Sequence, residues 1–211
     1  MKKLILSLIA VTGLALTTQA QTEKGTWTVG GAVILDTYKT SGMPKNNTSW
    51  KAEPTIGYFV AHNIEVGVDF GYVYNKYYIN DIGPADGPII TAEKNTAFII
   101  SPYARIYKDI NDQFKFFGQI SVPITSVSDK TDYGNDGDFI KNGSTKNFGV
   151  SLSPGLAFFP AKRFGIEFSV NGISYGSSRY KDANGNQVSS NKEFNISGNF
   201  FAPRIGVRFY F

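Results

Sequence analysis

Apolar and polar residues alternate with a period of two through most of this chain, the pattern of strands with two unlike faces. Counted in this way, strands are expected over residues 27–36, 50–60, 64–74, 96–108, 114–124, 148–159, 164–175 and 199–211. Their connectors alternate as well. Short turns (61–63, 109–113 and 160–163) follow the second, fourth and sixth strands, and long polar loops follow the first, third, fifth and seventh. This predicts an all-β fold, an eight-stranded antiparallel up-and-down barrel with tight turns at one end and loops at the other.

One face of each strand is apolar, as in Ile64, Val66, Val68, Phe70, Tyr72 and Tyr74; the other carries residues such as Glu53, Asp69, Gln119 and Ser151. Alternation alone leaves two barrels open: a soluble lipocalin-like one with the apolar set inside, and a transmembrane one with it outside. Glycine separates them. Of eleven glycines within the strands, eight (30, 57, 67, 71, 149, 155, 165 and 206) fall on the polar face. Small residues belong on the crowded side, which in an eight-stranded barrel is the bore. Aromatic residues gather at both ends of the apolar face, Trp50, Tyr72, Tyr74 and Phe148 by the loops and Tyr58, Phe114, Phe158, Phe164, Phe209 and Phe211 by the turns. Rings at two levels suggest girdles at two membrane interfaces. The polar face is then the inner one. Glu65, Arg105, Lys115, Glu167, Arg204 and Arg208 all lie on it, and they are expected to pair as a charge network that plugs the lumen, because unpaired charges there are costly.

Pro54, Pro102, Pro154 and Pro203 each open a similar phrase, at spacings of 48, 52 and 49 residues. The recurrence suggests a repeated hairpin unit, with local bulges where each proline removes a ladder donor. Nearer the start, Lys2 and Lys3 precede an apolar run from Leu4 to Leu16, and Thr18-Gln19-Ala20 supplies small residues for cleavage. This reads as a signal peptide over 1–20 followed by a single barrel domain over 21–211. The run is shorter than the roughly 20 apolar residues a membrane-spanning helix needs. The chain has no cysteine, which excludes a disulfide scaffold or a cysteine-linked lipid. Without Lys2 and Lys3 it carries 19 basic and 17 acidic residues, too even a balance to suggest nucleic acid.

The final octet, Arg204-Ile205-Gly206-Val207-Arg208-Phe209-Tyr210-Phe211, resembles the assembly signal of Gram-negative outer-membrane barrels, with Arg204, Gly206, Phe209 and Phe211 at the polar, glycine and aromatic positions. Over its full mature length the chain is similar to small eight-stranded barrels of the OmpX type and to the transmembrane domain of OmpA. The resemblance implies a Gram-negative outer-membrane location with both termini periplasmic. It also implies outer-membrane lipid and lipopolysaccharide as surroundings, the barrel assembly machinery as a partner, and a monomer. Roles in that group range over envelope anchoring, adhesion and, in OmpW-like relatives, passage of small hydrophobic molecules. The expected role here is structural or interactive (adhesion or envelope), exercised through the extracellular loops toward an extracellular partner. A narrow OmpW-like channel is the alternative.

Catalytic readings find little support. Barrels that act on lipid A or on peptides need a histidine beside their nucleophile or attacking water, and His62, the one histidine, falls in a turn far from the loop end. Residues 132–138 and 182–186 echo calcium loops, but glycine stands at 134 where an oxygen ligand belongs, and the second loop has no terminal glutamate. No enzyme, metal or cofactor is expected. Tyr38, Tyr77, Tyr78, Tyr133 and Tyr180 in the loops offer either an adhesive surface or simple packing at the rim.

Overall fold

The computed structural model describes residues 21–43, 45–82, 88–133, 137–198 and 204–211; the expected signal segment and Pro203 lie outside them. Among the described residues, eleven antiparallel strands form one sheet. They are β1 (Trp27–Tyr38), β2 (Asn47–Ala61), β3 (Ile64–Ile82), β4 (Pro88–Asp109), β5 (Phe114–Ser121), β6 (Ile124–Tyr133), β7 (Ile140–Ala161), β8 (Phe164–Ser169), β9 (Ile173–Asp182), β10 (Gln187–Ile196) and β11 (Arg204–Tyr210). Three pairs, β5 with β6, β8 with β9 and β10 with β11, are successive segments of single staves, so the wall has eight staves. It closes where β1 meets β11, with Thr28 opposite Tyr210 and Gly31 opposite Val207.

The staves outrun the apolar alternation at the loop end. β3 and β4 stay in unbroken register from Ile64 opposite Ile106 to Ile82 opposite Pro88, well past the expected limits at 74 and 96. Ladder hydrogen bonds need no apolar side chain, so a polar hairpin extends the sheet beyond the band that alternation marks. β10 falls largely in a segment read as loop for the same reason: it is exposed throughout and pairs with β9 alone.

The prolines act on their neighbours. At Pro54 and Pro102 the register runs on without a shift, contrary to the bulges expected there. Beside Pro154 the irregularity lies in the next stave: Gly155 faces Ser169 while Leu152 faces Ile173, so Ser153 and Pro154 oppose the three residues 170–172. A proline still accepts through its carbonyl but has no N–H to give. The adjacent stave loses that bond, and β8 gives way to β9 there.

Toward the turn end the two faces separate by exposure, whereas the upper part of β1 is exposed on both. Val33 and Leu35 on the apolar face are 78% and 73% exposed, whereas Glu65 on the other face is 0% exposed. Inside the turn end sits a cluster of Phe59, Tyr107, Phe117, Ala157, Phe159 and Tyr210. Sequence reading assigned aromatics to the outer girdles and missed this inner set. A signal for it exists in the doublets Tyr58-Phe59, Phe116-Phe117, Phe158-Phe159 and Phe209-Tyr210. Side chains alternate across a strand, so one member of each doublet must enter the bore.

Candidate functional site in the lumen

Above that aromatic floor, β3, β4, β8 and β11 each direct one charged side chain to the axis. Glu65 accepts hydrogen bonds from Thr28 Oγ1 (2.6 Å), Tyr103 OH (2.8 Å) and Tyr107 OH (3.0 Å), and it pairs with the Arg208 guanidinium. Arg105 donates through Nη1 to Glu167 Oε1 (2.7 Å) and through Nε and Nη2 to Gln119 Oε1 (2.9 and 2.6 Å). Arg208 Nε lies 3.1 Å from Glu167, which ties the two pairs together. The guanidinium of Arg105 also stacks 4.2 Å from the Phe117 ring centre. Two carboxylates and two guanidinium groups balance in charge, and each is both paired and hydrogen-bonded, which is the condition under which buried ions are tolerated.

Glycine makes room for this cluster. A Cβ at Gly57 would stand 2.0 Å from Glu65 Oε1 and 2.6 Å from Tyr103 OH, and one at Gly67 would meet the Tyr103 ring at 2.5 Å. Both glycines face the bore, as their side of the alternation requires.

Four of the six charges expected to form one network therefore meet, and two do not. Lys115 sits lower, at the mouth of the turn end, where it donates to Asp109 Oδ1 (2.5 Å) and Thr22 Oγ1 (2.9 Å). That hydrogen bond and the ammonium charge hold the Asp109 carboxyl below the ordinary carboxylate range. Thr22 is fully buried there, its hydroxyl donating to Asn63 Oδ1 (2.5 Å), so the segment before β1 crosses the mouth as a lid. Arg204 sits higher and is half exposed, its Nε 3.4 Å from Glu53, which also pairs with Lys51 at 2.7 Å. The lid was not anticipated because the residues before β1 carry no alternation, and the Arg204–Glu53 contact because parity gives a side chain's face but not its height along the bore.

The remaining positions of the proposed assembly motif line the seam of the barrel. Gly206 packs toward the Gly31 carbonyl, and Phe209 lies on the outer face with its ring 5.3 Å from that of Phe164. Phe211 exchanges both backbone hydrogen bonds with Trp27 (2.9 and 3.0 Å).

Toward the loop end the bore widens. A cavity of about 230 Å³ lies directly over Arg105 and Arg208. It is contiguous, through Thr125, Ser151 and Asn171, with a vestibule of about 660 Å³ floored by serine and asparagine of β7, β9 and β10. His62 is far from both, exposed in its turn and 3.0 Å from Glu23. In the second loop that echoed a calcium site, Asp182 Oδ1 accepts the backbone N–H of Asn186 (2.8 Å), which ties the two ends of the loop together.

The family described as outer membrane protein beta-barrel domain matches residues 6–209. The chain belongs to that family. No curated protein matches it. Among solved structures this outer-membrane barrel is similar to Neisserial surface protein A, at 12% identity over 89% of this chain and 98% of that one, with a TM-score of 0.48. It is similar too to OprG from Pseudomonas aeruginosa (14% identity, 92% and 99% covered, TM-score 0.46). The attachment invasion locus protein Ail of Yersinia pestis is a third relative in structure (12% identity, 89% and 99% covered, TM-score 0.41). For a member of this family the exposed apolar face is the face toward lipid.

Proposed function

We propose that this outer-membrane barrel has a structural or interactive role, exercised through its loop end, which faces out of the cell while both termini face the periplasm. The observation that carries the reading is the plug: Glu65, Arg105, Glu167 and Arg208 fill the bore over an aromatic floor, and the Thr22 lid crosses beneath. A barrel obstructed at three levels is unsuited to passing solutes from end to end. What it offers its surroundings is the polar surface of the hairpins that stand beyond the apolar band. Purified protein in planar bilayers tests the closed lumen: silence at neutral pH supports the reading, and stable unitary conductance opposes it.

A specific observation favours the OmpW-like alternative enough to keep it. Among the described residues, β1 from Ala32 to Tyr38 pairs only with β2, and β10, which lines the vestibule, pairs only with β9, so each presents an edge without ladder bonds to another described strand. A small apolar molecule entering the vestibule has a sideways exit there into the bilayer, above the plug. Uptake of such a molecule by proteoliposomes that show no ion conductance supports this lateral route. Absence of both uptake and conductance supports the first reading.

A further inference from the structure

The register of the loop-end wall lines up cations across four strands. Lys76 of β3 stands opposite Lys94 of β4, Lys94 opposite Lys130 of β6, and Lys130 opposite Lys141 of β7. A little lower on the same wall, Lys146 of β7 stands opposite Arg179 of β9. Like charges directly opposite in a sheet repel and destabilise it, so a row of four calls for a counter-charge.

The wall itself does not supply one. Among the described residues, Lys76, Lys94, Lys130, Lys141, Lys146 and Arg179 have no carboxylate within 4.0 Å. Of the acids on this wall, Glu93 (in register between Tyr77 and Thr131), Asp129 (opposite Asn95) and Glu193 (lining the vestibule) take the other face; Asp132 shares the row's face two positions beyond Lys130, but it is buried and its Oδ2 accepts the Gly137 N–H (3.0 Å). Lys76 and Lys94 rest against aromatic rings, Lys76 5.1 Å from the Phe139 ring centre and Lys94 5.4 Å from that of Tyr74. Ring contact steadies an ammonium group without neutralising it.

Position along the barrel identifies the counter-charge. Lys76 and Lys94 share the outward parity of Tyr72, Tyr74 and Phe98, whose rings join Trp50 in a continuous aromatic patch. Aromatic belts of membrane barrels lie at the headgroup level. Lys76 is two residues beyond Tyr74, a rise of about 7 Å at strand spacing, which puts the row just above the acyl boundary. The row crosses three inter-strand spacings, about 14 Å, long enough to bridge two phosphates on one headgroup or on neighbouring ones.

We propose that the outward row Lys76, Lys94, Lys130 and Lys141, extended by Lys146 and Arg179, binds the phosphate groups of the phosphorylated glycolipid surrounding the loop end of the barrel. The assignment to that leaflet rests on the outward placement of the loop end argued above. Affinity for the headgroup does not depend on it and is measured in detergent.

The test titrates the full mature chain with a bis-phosphorylated lipid A, its dephosphorylated counterpart and inorganic phosphate. Wild type is compared with a Lys94→Gln, Lys130→Gln, Lys141→Gln triple variant and with a Lys108→Gln, Lys162→Gln control at the turn end. Heat-modifiable mobility on gels verifies that each protein is folded. At about fivefold per lysine, the triple variant should bind the phosphorylated lipid on the order of a hundredfold more weakly, with a shallower salt dependence, and the control should match wild type. Both should bind the dephosphorylated lipid alike. Equal affinity of wild type and triple variant for the phosphorylated lipid overturns the site, as does inorganic phosphate that binds as tightly as the lipid. Should surface labelling instead place the loop end in the periplasm, the leaflet assignment falls while the detergent result stands.

Discussion

Arg208 of β11 and Glu65 of β3 meet across the bore, 143 positions apart in the chain. Neither lies on a strand next to the other's, so the pair braces the barrel through its interior where β1 and β11 close the wall. Removing one partner leaves a buried charge without its counter-ion. An Arg208→Ala variant should therefore lose about 3–5 kcal/mol of stability. Denaturant unfolding of the detergent-folded protein measures it. A Glu65→Gln, Arg208→Met double variant should recover much of that loss, because burial of two neutral groups carries no such penalty.

A glycine beside this pair and one on the outward face give a sharper contrast. Gly57→Ala places a methyl 2.0 Å from Glu65 Oε1, and Gly118→Ala places one where nothing lies within 4 Å. The first should destabilise by about 1–3 kcal/mol through overpacking, and the second should be close to neutral. Equal effects in the same unfolding experiment would show that the bore has more room than its contacts indicate.

Widening the floor tests its part in closure. Tyr107 and Phe117, with ring centres 5.7 Å apart, belong to the cluster beneath the charges. A Tyr107→Ala, Phe117→Ala variant should admit water to the level of Glu65, and small, cation-sensitive conductance should appear in bilayers where wild type is silent. Silence in both would assign closure to the ion pairs and the lid alone.

The barrel, its eight staves and the outward sense of its apolar face are legible in the sequence, because strand alternation repeats in every stave and the glycines at 57, 67 and 155 mark the crowded side. The plug is legible only in part. Glu65, Arg105, Glu167 and Arg208 could be picked out by parity, but parity does not give height along the axis. Lys115 and Arg204 share that parity and end below and above the cluster. Height follows from the register of neighbouring strands, which depends on turns and on the bulge beside Pro154. The extension of β3 and β4, and the existence of β10, escaped for a different reason: polar hairpins carry no apolar alternation. Tyr78, read among the loop tyrosines, is buried against Met43 and Ala92, so it contributes packing at the rim rather than adhesive surface.

Which end of the barrel faces out of the cell decides whether the loop hairpins are available to partners at all, and single-cysteine labelling answers it most directly. The chain has no native cysteine, so a membrane-impermeant maleimide sees only the introduced one. Ser41 in the loop after β1 and Asp112 in the turn after β4 are both exposed. On intact cells the Ser41→Cys variant should label fully and the Asp112→Cys variant only after the envelope is breached. Labelling of Asp112→Cys on intact cells, with Ser41→Cys protected, would contradict the proposed topology and with it a role exercised at the cell surface.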